Sequence, residues 1–272
     1  MLRARVLVVV ILLPIGLAIV YLGGWAFAAF VALILGTAGW EFARLYGARD
    51  LRPASVLVVA GAALFPLARM RDGFESAPWV ISLVILGSMA YHLICYERGR
   101  DQAATDFAVT LAGALYLGWL GGYLVSLRNL PEGTWWLLLV LPSVWLADSG
   151  AYFIGRSYGR RKLSPRLSPQ KTWEGYLGGI LVGVPGTAGL VYLWQIWAGP
   201  EFTISPVQGA LLGLLLSGLP TLGDLGESMI KRQAGAKDSS SLLPGHGGVF
   251  DRIDSWLWAA AIGYHFIVWI IR

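Results

Sequence analysis

Between Val6 and Trp40 the chain runs 35 residues without one Asp, Glu, Lys or Arg. A membrane-spanning helix takes about 20 mainly apolar residues. The stretch therefore holds two spans if the chain turns at Gly23–Gly24 and the second helix continues to about Tyr46. Arg3 and Arg5 ahead of it, with Ala26 and Ala28, resemble a secretory leader. A cleaved leader has an apolar core of only about 7–15 residues, so the expectation is an uncleaved pair of spans. Composition agrees. Of 272 residues, 56% are hydrophobic and 14% are Asp, Glu, Lys or Arg, against about 25% charged in soluble domains. A water-soluble globule with so little charge cannot cover its surface, and intrinsic disorder is excluded by the same composition.

Further charge-free runs occupy residues 53–68, 76–96, 107–127, 175–200, 202–223 and 255–271, and the run from 133 continues past Asp148 to about Ile154. The expected fold is all-α, a polytopic integral membrane protein of about nine transmembrane helices. Three regions follow: N-terminal helices in 1–100, middle helices with a basic loop in 101–174, and C-terminal helices in 175–272. With nine spans, the N-terminus and every second loop carry 17 of the 21 Lys and Arg residues. That bias puts those loops on the cytoplasmic side. The net charge of +5 is therefore topogenic and does not point to nucleic acid. Cys95 is the single cysteine, so neither an intrachain disulfide nor a cysteine metal site is available. HExxH is absent, and no Lys follows a Gly, which excludes a Walker A loop.

The polar chemistry begins at Asp148, in four clusters. Asp148, Tyr152 and Arg156 follow i, i+4, i+8 spacing and share a helix face. A carboxylate in the membrane is costly unless paired, hydrated or bound to a cation; a plain Asp–Arg pair is the simpler reading. Arg156, Arg160, Arg161, Lys162, Arg166 and Lys171 form a basic loop, with turns favoured at Ser164-Pro165 and Ser168-Pro169. Such loops often do no more than set topology or touch anionic headgroups. Asp224, Glu227 and Lys231 lie on one helical stripe. The two acids repel unless one is protonated or a cation sits between them; otherwise the stripe is a polar helix end. The fourth cluster runs from Lys237 through Ser239, Ser240 and Ser241 to His246-Gly247-Gly248 and Asp251-Arg252-Ile253-Asp254. Backbone N–H groups of a Gly-rich stretch before a helix suit phosphate, and oxygen-only ligands such as Asp251 and Asp254 favour Mg²⁺. An ordinary capped helix start is the alternative. Together, acids for a hard cation, many fixed cations and a Gly-rich loop on one face suit a phosphate-bearing polyanion.

Ser228 to Asp254 resembles the full signature of phosphatidate cytidylyltransferases, the CDP-diacylglycerol synthases, at Ser228, Lys231-Arg232, Lys237-Asp238, Ser240, Leu243-Pro244, His246-Gly247-Gly248, Asp251-Arg252 and Asp254. The segments around Asp148–Arg156 and Ser168–Gly175 are also similar to family segments. The resemblance implies a membrane enzyme of the plasma (inner) membrane, often a homodimer, that joins CTP and phosphatidate in phospholipid biosynthesis. It implies Mg²⁺ held by Asp224 and Asp251, with K⁺ beside it. On that reading Asp224, Asp251, Lys231, Arg232 and Asp148 are the catalytic set. Lys171, Lys237, Ser239, Ser240, Ser241, His246, Gly247, Gly248 and Arg252 bind substrate, whose tails enter from the membrane lipids. Two rivals use the same residues differently: a CTP-dependent polyprenol or phytol kinase, and an ion-coupled transporter with Asp148 and Asp224 as its cation site. Glu41, Arg44, Asp72 and Glu97 have no place in this scheme.

Overall fold

The computed structural model describes residues 2–243, 245 and 247–272, and they are overwhelmingly helical. Leu2–Leu22 (α1) and Gly24–Gly47 (α2) are divided by Gly23 and Gly24, at φ 64° and 54°. Only glycine enters that region without steric cost, so the chain turns where the sequence predicts. Ser55–Asp72 (α3) and Ala77–Glu97 (α4) follow, then Ala103–Gly113 (α5), a π-helical turn at Ala114–Trp119, and Leu120–Arg128 (α6). Gly133–Tyr158 (α7) leads into a short hairpin of Lys162–Ser164 (β1) and Ser168–Thr172 (β2). Trp173–Ala198 (α8), Pro206–Gly218 (α9), Pro220–Ala234 (α10) and Phe250–Phe266 (α11) complete the order, with a final π-helical turn at Ile267–Ile271.

Among the described residues seven helical stretches are long and apolar enough to cross a membrane, and Leu13–Leu22 is a shorter apolar helix. The all-α membrane class holds. One of the seven, Ser55–Glu97, is 43 residues long and contains two of the expected spans. Gly73, at φ 57°, ends α3. Phe65 and Ala68 of α3 then share a buried core with Val80 and Val84 of α4, so the two halves fold back on each other.

The chain divides into two compact units. The first comprises residues 1–129 and 230–253, the second 130–229 and 254–272. Within the first unit, α2 and α3 pack along Gly36, Gly39, Val58 and Val59. Arg69, which the sequence places in a short loop across the membrane from the basic face, lies inside α3 and is 2% exposed. Its guanidinium stands 3.7 Å from the Phe74 ring centre, 4.7 Å from that of Trp119 and 5.4 Å from that of Tyr123. Aromatic faces attract a desolvated cation, which explains how the charge is kept inside. Arg128 closes the far end of this unit by donating from Nε to the Val20 carbonyl at 2.6 Å, at the C-terminus of α1.

Within the second unit, α7 and α8 approach along a ladder of small residues. Gly175, Gly179 and Gly183 of α8 recur every fourth residue and face Gly155, Ala151 and Ala147 of α7. A Cβ on Gly179 would stand 2.9 Å from the Ala147 carbonyl oxygen. In lipid, where no hydrophobic force drives helices together, such close backbone contact holds them through dispersion. The ladder sets the hairpin beside the end of α7. The Ser-Pro pairs of the basic loop flank paired strands, with Lys162 opposite Thr172 and Ser164 opposite Ser168. Thr172 then caps α8, its Oγ1 accepting from Gly175 N at 3.1 Å. Glu174 accepts from the backbone amides of Arg160 and Arg161 at 2.9 and 3.1 Å.

Candidate active site

In the second unit three acids of the sequence clusters come together, while Asp251 belongs to the first unit. Asp224 and Glu227 sit on α10, one turn apart. Gly223 lets α10 approach α11 so closely that a Cβ there would lie 2.6 Å from the Asp254 carbonyl oxygen. The result is a group of three carboxylates, Asp224, Glu227 and Asp254, with one oxygen from each within 4.8 Å of the others. Glu227 is 1% exposed and Asp254 8%. Asp224 is partly exposed, and three carboxylates so close repel unless one is protonated or a cation sits among them. Lys171 supplies positive charge, its Nζ 2.5 Å from Asp224 Oδ2, and it lies within electrostatic reach of Asp148 and Asp254 as well. Ser228 Oγ donates to Asp224 Oδ1 at 3.4 Å. An all-oxygen donor set of this kind fits Mg²⁺, which takes one or two carboxylates and completes its shell with water and substrate phosphates. Arg156 donates to Tyr152 Oη at 2.9 Å, so the i, i+4 stripe of α7 is real and its arginine is spent on the tyrosine.

In the first unit the signature loop folds around Asp251. Lys231 Nζ lies 2.6 Å from Asp251 Oδ1. Asp251 Oδ2 accepts from Ser239 N at 2.9 Å, Ser239 Oγ at 2.9 Å and Gly248 N at 2.8 Å. Gly247, at φ 80°, completes the wrap, and a Cβ on it would meet Asp251 Oδ2 at 2.6 Å. The donors that the sequence reading directs toward phosphate at Ser239 and Gly248 thus turn to a carboxylate of the chain. A backbone N–H near a helix start satisfies whichever anion reaches it first, and Asp251 is three residues from Gly248. Ser240 donates at 2.5 Å to Glu41 Oε1 on α2, a partner 199 residues away. Glu41 is a site residue that the sequence reading leaves without a role. Its one sequence signal is an acid at the end of a 35-residue charge-free run. Arg232 donates to the Ala236 carbonyl at 3.1 Å and trims the end of α10. Lys237, Ser241 and Arg252 are exposed, and His246 lies outside the described residues.

The fold and the site define a polytopic helical membrane protein in which an acid cluster, lysines held against aspartates and a glycine loop wrapped on a carboxylate suit a divalent cation and a polyanion. The chain belongs to the cytidylyltransferase family, whose model matches residues 3–270. It is 32% identical to a phosphatidate cytidylyltransferase of Synechocystis, over 98% of this chain and 97% of that protein. It is 36% identical to one of Pseudomonas aeruginosa, over 99% of this chain and 97% of the relative. A Brucella suis protein of the same name is 34% identical, over 97% of this chain and 93% of its own.

Proposed function

We propose that this chain is a phosphatidate cytidylyltransferase, making CDP-diacylglycerol and pyrophosphate from CTP and phosphatidate. Family membership along nearly the whole chain and full-length relatives of that name support the activity. The observation that carries the chemistry is the Asp224, Glu227 and Asp254 group with Lys171 held against it. A phosphatidate oxygen attacks the α-phosphorus of CTP. The new P–O bond forms as the bond to the bridging oxygen of the β-phosphate breaks, and pyrophosphate takes the electron pair. Phosphatidate is already ionised, so no protein nucleophile is needed, and positioning with charge stabilisation supplies the catalysis.

Asp224 and Asp251 hold Mg²⁺ in this proposal, as the sequence resemblance implies, with Glu227 and Asp254 as further oxygen donors close to Asp224. When bound, Mg²⁺ neutralises charge on the triphosphate and the departing pyrophosphate. Lys171 and Lys231 each rest on an aspartate and turn their ammonium groups to phosphate oxygens when the nucleotide enters. Arg232, Lys237 and Arg252 add positive charge along its path, and Asp148 steers Lys171. K⁺ as a second cation, a homodimer and His246 as a phosphate contact follow the same resemblance. The nine-span topology in the inner membrane, with the active site facing the cytoplasm, rests on the Lys/Arg bias.

Purified protein given phosphatidate and Mg²⁺, with CTP labelled either in the cytidine or at the γ-phosphate, tests the reading. Cytidine label in lipid, abolished by EDTA, is the expected result. The γ-label in lipid would replace it with a lipid kinase, and vesicle uptake without lipid product would replace it with a transporter.

A further inference from the structure

Glu41 belongs to α2, far from the signature in sequence, and is fully buried at 0% exposure. A carboxylate in such a place is costly unless donors surround it. Glu41 has four, all from the signature loop and the helix start that follows. Oε1 accepts from Ser240 Oγ at 2.5 Å and Val249 N at 3.0 Å. Oε2 accepts from Ser239 Oγ at 3.1 Å and Phe250 N at 2.7 Å. Val249 and Phe250 open α11, whose first amides have no intrahelical acceptor. Negative charge at that end is favoured by the helix dipole.

Two details tie this contact to the active site. Ser239 Oγ stands between Glu41 Oε2 at 3.1 Å and Asp251 Oδ2 at 2.9 Å, so its single proton is shared between the two acids. A Cβ on Gly248 would meet Ser239 Oγ first, and then Glu41 Oε1 and Oε2 at 2.5 and 2.6 Å. The glycine pair of the signature thus makes room for Asp251 at Gly247, and for Ser239 together with Glu41 at Gly248.

We propose that Glu41 is a positioning residue of the cytidylyl-transfer site: it fixes the Ser239–Ser240 segment and the start of α11, and through them the orientation of Asp251 and Lys231. It touches no reacting atom. The proposal rests on the cytidylyltransferase reading for its effect on rate, while its structural half is independent of that reading.

Glu41→Gln keeps the shape and replaces one acceptor oxygen by an NH₂ that faces two donors. Two readouts are taken on the full-length protein in detergent: kinetics with CTP and phosphatidate, and hydrogen exchange of peptides covering 247–253 against peptides from α7 and α8. The expected result is exchange at least tenfold faster in 247–253, with exchange in the α7 and α8 peptides unchanged. With it, kcat/KM for CTP falls at least tenfold, and Glu41→Asp restores part of it. Ser240→Ala, which removes the shortest of the four bonds from the loop side, gives a smaller change of the same kind, and its effect is lost in the Glu41→Gln background. Unchanged exchange in 247–253 overturns the proposal. So does faster exchange with kcat/KM within twofold of wild type, or a Tm drop with exchange raised throughout. Should Glu41→Gln not fold, Ser240→Ala decides alone: confined faster exchange with lower kcat/KM supports the role, and wild-type behaviour in either overturns it. A wild type without cytidylyl transfer contradicts the functional reading, and the exchange comparison still judges the clamp.

Discussion

Arg69 shows how a single residue escapes a topological rule. Counted as a loop cation it falls on the poorly basic side, yet it is buried beneath Phe74, Trp119 and Tyr123. Arg69→Ala removes the cation and opens a cavity under three rings, and the cost should be about 3 kcal/mol. Thermal unfolding in detergent checks this: a clear drop in Tm is expected, with Arg69→Lys recovering part of it, whereas an unchanged Tm for the alanine variant would contradict the cage. The Asp, Ser and Gly residues of the signature stand out in the sequence because their spacing is local. Glu41 does not, because its partners are 198 to 209 residues away and nothing near it announces them. The pairing of Lys171 with Asp224 is hidden for the same reason: both lie in their own clusters, and only the packing of helices makes them one.

Helix positions were readable from charge-free runs, but helix partners were not. In lipid, side chains facing bilayer and protein are equally apolar, so no amphipathic stripe marks the contact face. The Gly175, Gly179, Gly183 ladder is the exception, a small-residue pattern whose meaning becomes clear once α7 lies against it. Gly179→Leu should push the two helices apart at a cost of about 1–3 kcal/mol. It should also lower activity at least tenfold by displacing the hairpin that carries Lys171. Gly189→Leu, on the same helix with nothing within 4 Å of its Cβ position, should change neither Tm nor rate appreciably. Equal effects from the two variants would remove the ladder from the account. The hairpin itself was half readable: the Ser-Pro turns are local chemistry, while the pairing of Lys162 with Thr172 depends on a chain reversal that spacing alone does not specify.

For the molecule in its bilayer, the strongest information lies in charge. Seventeen of 21 Lys and Arg fall on one side of the expected nine-span path, and one of the seven long apolar stretches among the described residues holds two of those spans as a folded-back pair. Orientation is open to direct test. In a Cys95→Ser background, a cysteine at Arg166 should react with a membrane-impermeant thiol reagent only after the inner membrane is opened. One at Glu201 should react in intact spheroplasts; the reverse pattern would invert the topology and move the active site to the other face. The association of the acids, by contrast, depends on helix packing, with Gly223 set against the Asp254 carbonyl.

Asp224 is where these arguments meet, as a partner of Lys171, a neighbour of Glu227 and Asp254, and a proposed Mg²⁺ ligand. The most direct measurement is the rate of cytidine-label transfer to phosphatidate by Asp224→Asn as Mg²⁺ is titrated, with folding verified by an unchanged elution profile. Loss of the ligand charge should slow transfer on the order of a thousandfold, several kcal/mol of transition-state stabilisation, with no recovery at high Mg²⁺. A folded variant that keeps more than about a tenth of the wild-type rate, well short of the loss expected for a metal ligand, with the wild-type Mg²⁺ dependence, would contradict the account.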